Sequence, residues 1–253
     1  MNKLIKKKIK MKKIFSLLWL LCVCLTMYAH ATKLTVDCQN PGWLSNKITY
    51  GDQMTVKDLT VTGYINDTDI KFLCALIRDR ALSGGRLNLE NTHIVGSISI
   101  LDDRMSNGSN CLNGDGHLAS LYLPKSLKEI SSAIGNISVD SLYFSPQKIH
   151  AVSSESFYRG DNNKYLKHLF LGENIDSIPK YSFLGCKNLT SIHLGKKMHY
   201  IGEAAFYAST NLKQLNWNEF TSSLDYIGPR VFLETQWKPD TILIGDKIEN
   251  FDV

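Results

Sequence analysis

Apolar residues recur along this chain in one fixed order, and the order restarts every 21 to 27 positions. The clearest self-match lies between 166–188 and 189–211, two 23-residue segments that align without a gap. Both open on L-x-x-L/I-x-L, through Leu166, Leu169 and Leu171 in one and Leu189, Ile192 and Leu194 in the other. Both then place apolar residues at matching positions, Ile175 and Ile178 or Met198 and Ile201, and close on Ser182-Phe183 or Ala205-Phe206. Looser copies flank them. Leu118, Leu121 and Leu123 begin one, Val139, Leu142 and Phe144 another, and Leu212, Leu215 and Trp217 a third. Repeat starts fall near 118, 139, 166, 189, 212 and 239, and the last copy, Ile242 to Phe251, stops before its Phe turn. A period of this length means one small supersecondary unit stacked on copies of itself, because no single copy can cover its own apolar face.

Within a copy, the alternating end of L-x-x-L-x-L predicts a short strand with its leucines on one face. Gly172, Gly195, Pro124 and Pro146 then turn the chain away. The run Glu203-Ala204-Ala205-Phe206-Tyr207 predicts a helical turn that drops its Phe into the core. At about 1.5–3 kcal/mol for each fully buried Leu, Ile or Phe, the recurring apolar columns are structural.

Residues 32–117 lack the regular repeat. Lys33–Val36 and Val56–Thr62 predict strands. Asn66-Asp67-Thr68-Asp69 supplies N-cap chemistry for a helix whose apolar stripe is Ile70, Leu73, Leu76 and Ile77, ending at Gly84-Gly85. Leu87-Asn88-Leu89 begins a strand like a degenerate repeat. Asp102–His117 is rich in Asp, Asn and Gly; Asn113-Gly114-Asp115-Gly116 echoes part of a calcium loop but fails the twelve-residue spacing and lacks its closing Glu, so a polar insertion is the expectation.

The stretch LTSIHLGKKMHYIGEAAFYASTNL resembles the BspA-like leucine-rich repeats of secreted and surface proteins of host-associated bacteria and some protists, with matching residues through 118–253. The resemblance implies an α/β repeat fold, a right-handed solenoid with its strands in a sheet on one side. It also makes the strand–helix–strand element of 32–117 an N-terminal cap, covering an apolar edge the first repeat would otherwise expose. It further implies attachment to a host or neighbouring-cell protein or glycan. The asparagine of the common consensus appears at Asn174, while Lys197 stands at the equivalent place in the next copy, so no continuous asparagine ladder is expected.

Composition alters the picture at the N-terminus. Residues 1–31 carry seven lysines and no acid, then the apolar run 14–27 and Ala29-His30-Ala31, which predicts a secretory signal cut after Ala31 and a secreted or cell-surface protein. Cys22 and Cys24 raise a lipid anchor as the alternative, although Leu21 and Val23 before them are large. Of 29 basic residues, 22 remain beyond this leader, against 24 acidic, for a net charge of −2. No basic stripe is left to recruit nucleic acid, and the apolar run reads as a leader and not a membrane span. Cys38, Cys74, Cys111 and Cys186 permit disulfides in an exported chain; Cys38–Cys111 or Cys38–Cys74 is the candidate pairing, with Cys186 read as core.

No G-x-S-x-G, H-E-x-x-H or phosphate loop is present, and the histidines read as solvated, so the expectation is a protein that is not an enzyme and needs no cofactor or metal. Asp115 and His117 are the candidate site of a weaker alternative, a carbohydrate-active or hydrolytic accessory protein, and a structural spacer or fragment of a larger surface protein is a further alternative. The residue between the last two strand leucines faces away from the core and recurs as Tyr122, Tyr143, Phe170, His193, Asn216 and Leu243. The column before it holds Ser120, Ser141, His168, Ser191 and Gln214. Tyr122, Tyr143, Phe170, His193, His168 and Asn216 are therefore the candidate ligand-binding residues. Aromatics in succession on an open face mark an interaction surface, although aromatic rows also stabilise sheets by cross-strand packing.

Overall fold

The computed structural model describes residues 32–79, 81–95, 116–127, 138–152, 157, 165–239, 241, 243–246 and 248. In chain order the elements are β1 (Thr32–Cys38), α1 (Leu44–Lys47), α2 (Tyr50–Thr55), β2 (Val56–Ile65), α3 (Asp67–Asp79), β3 (Gly85–Asn88), β4 (Thr92–Ile94), β5 (Leu118–Tyr122), β6 (Val139–Phe144), β7 (His168–Leu171), β8 (Ser177–Ile178), β9 (Ser191–His193), β10 (Tyr200–Ile201), β11 (Gln214–Leu215) and β12 (Tyr226–Ile227). Two 3-10 helices, Trp217–Glu219 and Thr221–Ser223, lie between β11 and β12.

The strands form two parallel sheets. The large one has nine strands in the order β1-β2-β3-β5-β6-β7-β9-β11, with β4 pairing the second half of β2. The small one runs β12-β10-β8. Each repeat contributes one strand to each sheet where both are formed, and the leucine, isoleucine and phenylalanine columns fill the space between them. Leu121, Leu142 and Leu169 are fully buried from the large sheet, as are Ile175, Ile178, Met198 and Ile201 further along their copies.

The helix before β3 is held by its own N-terminus. Asn66 Oδ1 accepts from the amides of Thr68 at 2.9 Å and Asp69 at 3.3 Å, as capping chemistry requires. Asp69, almost wholly buried, accepts from the amides of Gly42 at 2.6 Å, Leu44 at 2.9 Å and Asn66 at 3.0 Å, tying α3 to the loop before α1. β1 adds alongside β2 in parallel, and Val36, Val56, Leu59, Val61 and Ile65 join the same continuous core as the repeats.

The Phe segment departs from expectation. Glu203-Ala204-Ala205-Phe206-Tyr207 is a chain of turns, not a helix, and its amides bond across repeats. Ala204 N donates to Pro229 O (2.9 Å), Phe206 N to Val231 O (3.0 Å) and Ala208 N to Leu233 O (3.0 Å), while Phe183 N donates to Ala205 O (2.8 Å). A helix would consume those donors internally. Tyr181, Ala204 and Ala208 take positive φ, between 49° and 61°, and the amide of each donates to the next copy; Arg230 and Glu234 share the conformation. The result is a buried file of rings, Phe157, Phe183, Phe206 and Phe232, with successive centroids 4.7, 5.2 and 5.6 Å apart. Gly195 must be glycine: a Cβ there would stand 2.7 Å from the carbonyl oxygen of Gly172 in the preceding copy.

The cysteine expectation through Cys38 is corrected. Cys38 and Cys186 are buried free thiols, whereas Cys74 is disulfide-bonded. Cys38 Sγ donates instead to Asn40 O at 3.3 Å, and Cys111 lies outside the described residues. Cys186 is core as expected; its Sγ donates to Phe157 O at 3.4 Å, and Ser209 Oγ does the same to Phe183 O at 2.8 Å one copy later. In the last copy, Ile244 is exposed instead of joining the core. Ile242, Phe251, the leader and Asp102–Asp115 lie outside the described residues.

Candidate binding face of the large sheet

Parallel pairing in unshifted register turns a sequence column into a physical row. Tyr122 pairs with Tyr143, Tyr143 with Phe170, and Phe170 with His193. The row begins earlier than the tyrosines, since Thr60 pairs with Asn88 and Asn88 with Tyr122. The adjacent row runs Lys33, Asp58, Arg86, Ser120, Ser141, His168, Ser191 and Gln214.

The rings stand on edge and stack face to face. Tyr122 and Tyr143 are 4.0 Å apart and 2° from parallel; Tyr143 and Phe170 are 4.3 Å apart and 3° from parallel. Both separations are shorter than the roughly 4.7–4.9 Å between strands, so the faces of Tyr143 are fully used inside the stack. At one end the Arg86 guanidinium covers the outer face of Tyr122, 4.6 Å from its centroid, while Nη1 donates to Asp58 Oδ1 at 2.6 Å. Burial within the stack, followed by the hydrogen bond and charge of Tyr122, pushes the Tyr143 phenol above its ordinary pKa.

At the other end the stack opens. His193 lies 6.3 Å from Phe170 and is tilted by 34°, so one face of Phe170 looks into a wedge. Two open grooves meet there, one of about 630 Å³ and one of about 510 Å³, and both are lined by Phe170 and His193. The larger continues over His168, Ser191 and Gln214 to Trp237, with Lys213 at its side and no carboxylate among its lining residues. His168 Nδ1 and Ser191 Oγ are hydrogen-bonded at 2.7 Å across β7 and β9. The smaller groove is of mixed sign, with the Glu90–Lys125 ion pair (2.9 Å) and Glu173 at its walls.

The six expected site residues thus separate. Phe170, His193 and His168 converge on the larger groove. Tyr122 and Tyr143 share the face but are spent on each other. Asn216 lines the groove, yet its amide is engaged in holding the sheet edge: Oδ1 accepts from Leu194 N and Nδ2 donates to Leu194 O, both at 2.8 Å. Three residues escaped the sequence reading. Arg86 would have emerged from laying the degenerate Leu87-Asn88-Leu89 copy onto the later ones, which puts it in the Ser120 column. Lys213 needed only the residue before Gln214. Trp237, buried against Phe232 at 4.5 Å, follows an insertion that hides its place in the repeat.

His117 also departs from the solvated reading. Its Nε2 lies 3.4 Å from Asp140 Oδ2, its ring packs 4.7 Å from Tyr165, and its Nδ1 is buried without a hydrogen-bond partner. Asp115, its proposed companion, lies outside the described residues. Among the described residues no group of three His, Cys, Asp or Glu could hold a metal ion, and no helix is long and apolar enough to cross a membrane.

The repeat that builds this face is one with a recognised family model. The model for the BspA type leucine-rich repeat region, a six-copy unit, matches residues 86–164 and 156–252. The chain belongs to the BspA-type leucine-rich repeat family. The match begins on β3, so the Leu87-Asn88-Leu89 strand falls within the repeat region of this BspA-type protein. Leucine-rich repeat proteins are in general non-enzymatic interaction modules, and BspA-type members are typically secreted or at the surface. No curated protein and no solved structure gives a significant match.

Proposed function

We propose that this BspA-type repeat protein is an exported adhesion module that holds a protein on a host or neighbouring cell, through the open end of the aromatic row at Phe170 and His193. The observation that carries the reading is the break in the stack: a free aromatic face, flanked by His168, Gln214 and Lys213, beside a groove large enough for side chains of a partner. An apolar anchor surrounded by polar groups is the arrangement that concentrates binding energy in protein interfaces. The lining carries Lys213 and no acid, which favours a partner segment bearing a carboxylate beside its apolar anchor.

The test is capture of matrix and cell-surface proteins by the full chain on a biosensor, comparing Phe170→Ala and Lys213→Glu with Tyr50→Ala, which alters an exposed aromatic on α2. The two groove variants should each weaken the captured interaction at least about tenfold, the range of a lost interface anchor, and Tyr50→Ala should not. Equal binding by all three, with unchanged circular dichroism, removes this face from the function.

A further inference from the structure

The small sheet carries an aromatic row of its own. Its outward column runs Ala151, Ser177, Tyr200 and Tyr226, since Ala151 bridges to Ser177, Ser177 pairs with Tyr200, and Tyr200 with Tyr226. Tyr200 and Tyr226 are 39% and 46% exposed and stacked 4.9 Å apart, 10° from parallel. The stack covers one face of Tyr200. The neighbours on its other side are Ser177 and then Ala151, whose side chains are too short to cover a ring. Tyr200 therefore ends in an open face above a two-strand shelf, about 4.8 Å wide per strand.

A second row runs beside it. The carbonyl of His150 accepts from both Asp176 N (2.8 Å) and Ser177 N (3.2 Å), that of Asp176 from His199 N (2.7 Å) and Tyr200 N (3.2 Å), and that of His199 from Asp225 N (2.8 Å) and Tyr226 N (3.1 Å). Sharing one acceptor between successive amides kinks the chain, as a bulge does, and leaves both side chains of each pair at the surface. Only the next residues, Ile178, Ile201 and Ile227, turn inward. The outer row thus reads His150, Asp176, His199, Asp225. His199 Nδ1 and Asp225 Oδ2 are 2.9 Å apart, a hydrogen bond, whereas His150 Nδ1 and Asp176 Oδ2 are 3.5 Å apart, beyond one.

We propose that the step between Tyr200 and Ser177 is a carbohydrate-binding site, separate from the groove at Phe170, and that it takes a neutral hexopyranose unit. A pyranose has an apolar C–H face and a rim of hydroxyls. The open ring of Tyr200 meets the first, and the Asp176 carboxylate, with the His150 and His199 imidazoles, meets the second by accepting and donating hydrogen bonds. Acid and imidazole alternate along the row, so the surface has no dominant sign and favours an uncharged polar ligand over a charged peptide segment. The two copies before Tyr200 offer only Ser177 and Ala151 in the tyrosine position, so among the described residues of this sheet the step from small side chain to ring falls at Ser177–Tyr200.

The experiment uses the full chain and two probes. Methyl glycosides of glucose, galactose, mannose and N-acetylglucosamine are screened by saturation-transfer NMR, and their oligosaccharides are screened as immobilised glycans. At least one neutral sugar should bind, and Tyr200→Ala should weaken it about tenfold. Ser177→Phe is the second variant: it extends the ring stack across the step, preserves the fold by circular dichroism, and should abolish binding. Phe170→Ala should leave sugar binding intact, which separates this site from the large-sheet face. The proposal is overturned if no neutral sugar binds, if sugar binding survives both Tyr200→Ala and Ser177→Phe, or if Ser177→Phe instead blocks a protein partner while glycans remain inert.

Discussion

The Phe170 and His193 rings are neighbours in one strand register yet stand 6.3 Å apart and 34° out of parallel, where the preceding pair closes to 4.3 Å and 3°. At this gap one face of Phe170 is left uncovered. His193→Phe should close it by continuing the stack. Thermal unfolding should then be unchanged or raised, by about 0.5–1.5 kcal/mol for the added aromatic pair, while partner capture falls as it does for Phe170→Ala. A variant that gains stability and keeps full binding would remove the wedge from the mechanism.

Tyr143 ties the stack to pH. Its phenol is raised above the ordinary tyrosine value of about 10, first by burial and then by Tyr122. A raised pKa favours the neutral form in the folded state, so its contribution is complete below about pH 10 and is lost as pH rises through the folded value. Ultraviolet titration should find a tyrosine ionising above the bulk that disappears in Tyr143→Phe. In that variant, urea-monitored stability should decline less steeply above pH 10.

Cys186 should be silent toward thiol reagents in the native protein. It is buried, and burial alone pushes its thiol up to about 12. Iodoacetamide with peptide mass mapping should leave it unmodified until urea unfolds the chain. The raised value means its contribution to stability is present through neutral pH and is lost as pH climbs from the ordinary thiol range toward 12. Cys186→Ser should fold, because Ser209 already donates to a Phe carbonyl from the equivalent position.

Ala208 holds φ at 56° while its amide donates to Leu233 O. A left-handed alanine costs about 1–2 kcal/mol, and glycine loses about 0.5–1 kcal/mol of that advantage through the unfolded chain. Ala208→Gly should therefore stabilise the protein by about 0.5–1 kcal/mol in chemical denaturation. If the turn were helical, the same change would destabilise it by a similar amount.

Asp69 joins α3 to the loop before α1 through three backbone amides. Asp69→Ala strands those donors and should cost about 3 kcal/mol or more, read as a lower urea midpoint. Thr68→Ala, whose side chain is exposed on the same first turn, should cost well under that.

Much of this fold was legible because burial acts on one residue at a time. Through 166–206 the leucines of L-x-x-L-x-L, the paired apolar residues and the turn phenylalanines are buried where their spacing puts them, whereas Ile244 is exposed. The Phe turns were misread because the partners of Phe206 N and Ala208 N are 25 residues away, and no local pattern of alanines reports an acceptor at that distance. The binding face was legible as a row but not as a site. Spacing aligns Tyr122, Tyr143 and Phe170; it does not tell that the first two occupy each other, or that Arg86 seals one end and His193 leaves the other open.

The two 3-10 helices between β11 and β12 have an architectural meaning. From Ser191 to Gln214 the large sheet advances by 23 residues, and from Ser177 to Tyr200 so does the small one, but from Tyr200 to Tyr226 the small sheet needs 26. Trp217–Glu219 and Thr221–Ser223 lie in the arc that takes up the difference, while the register of both sheets is untouched. The arc is pinned all the same: Trp217 and Phe220 are buried in it, and Trp217 packs 5.4 Å from Trp237 of the larger groove, so this repeat absorbs its extra residues as core and not as loose loop.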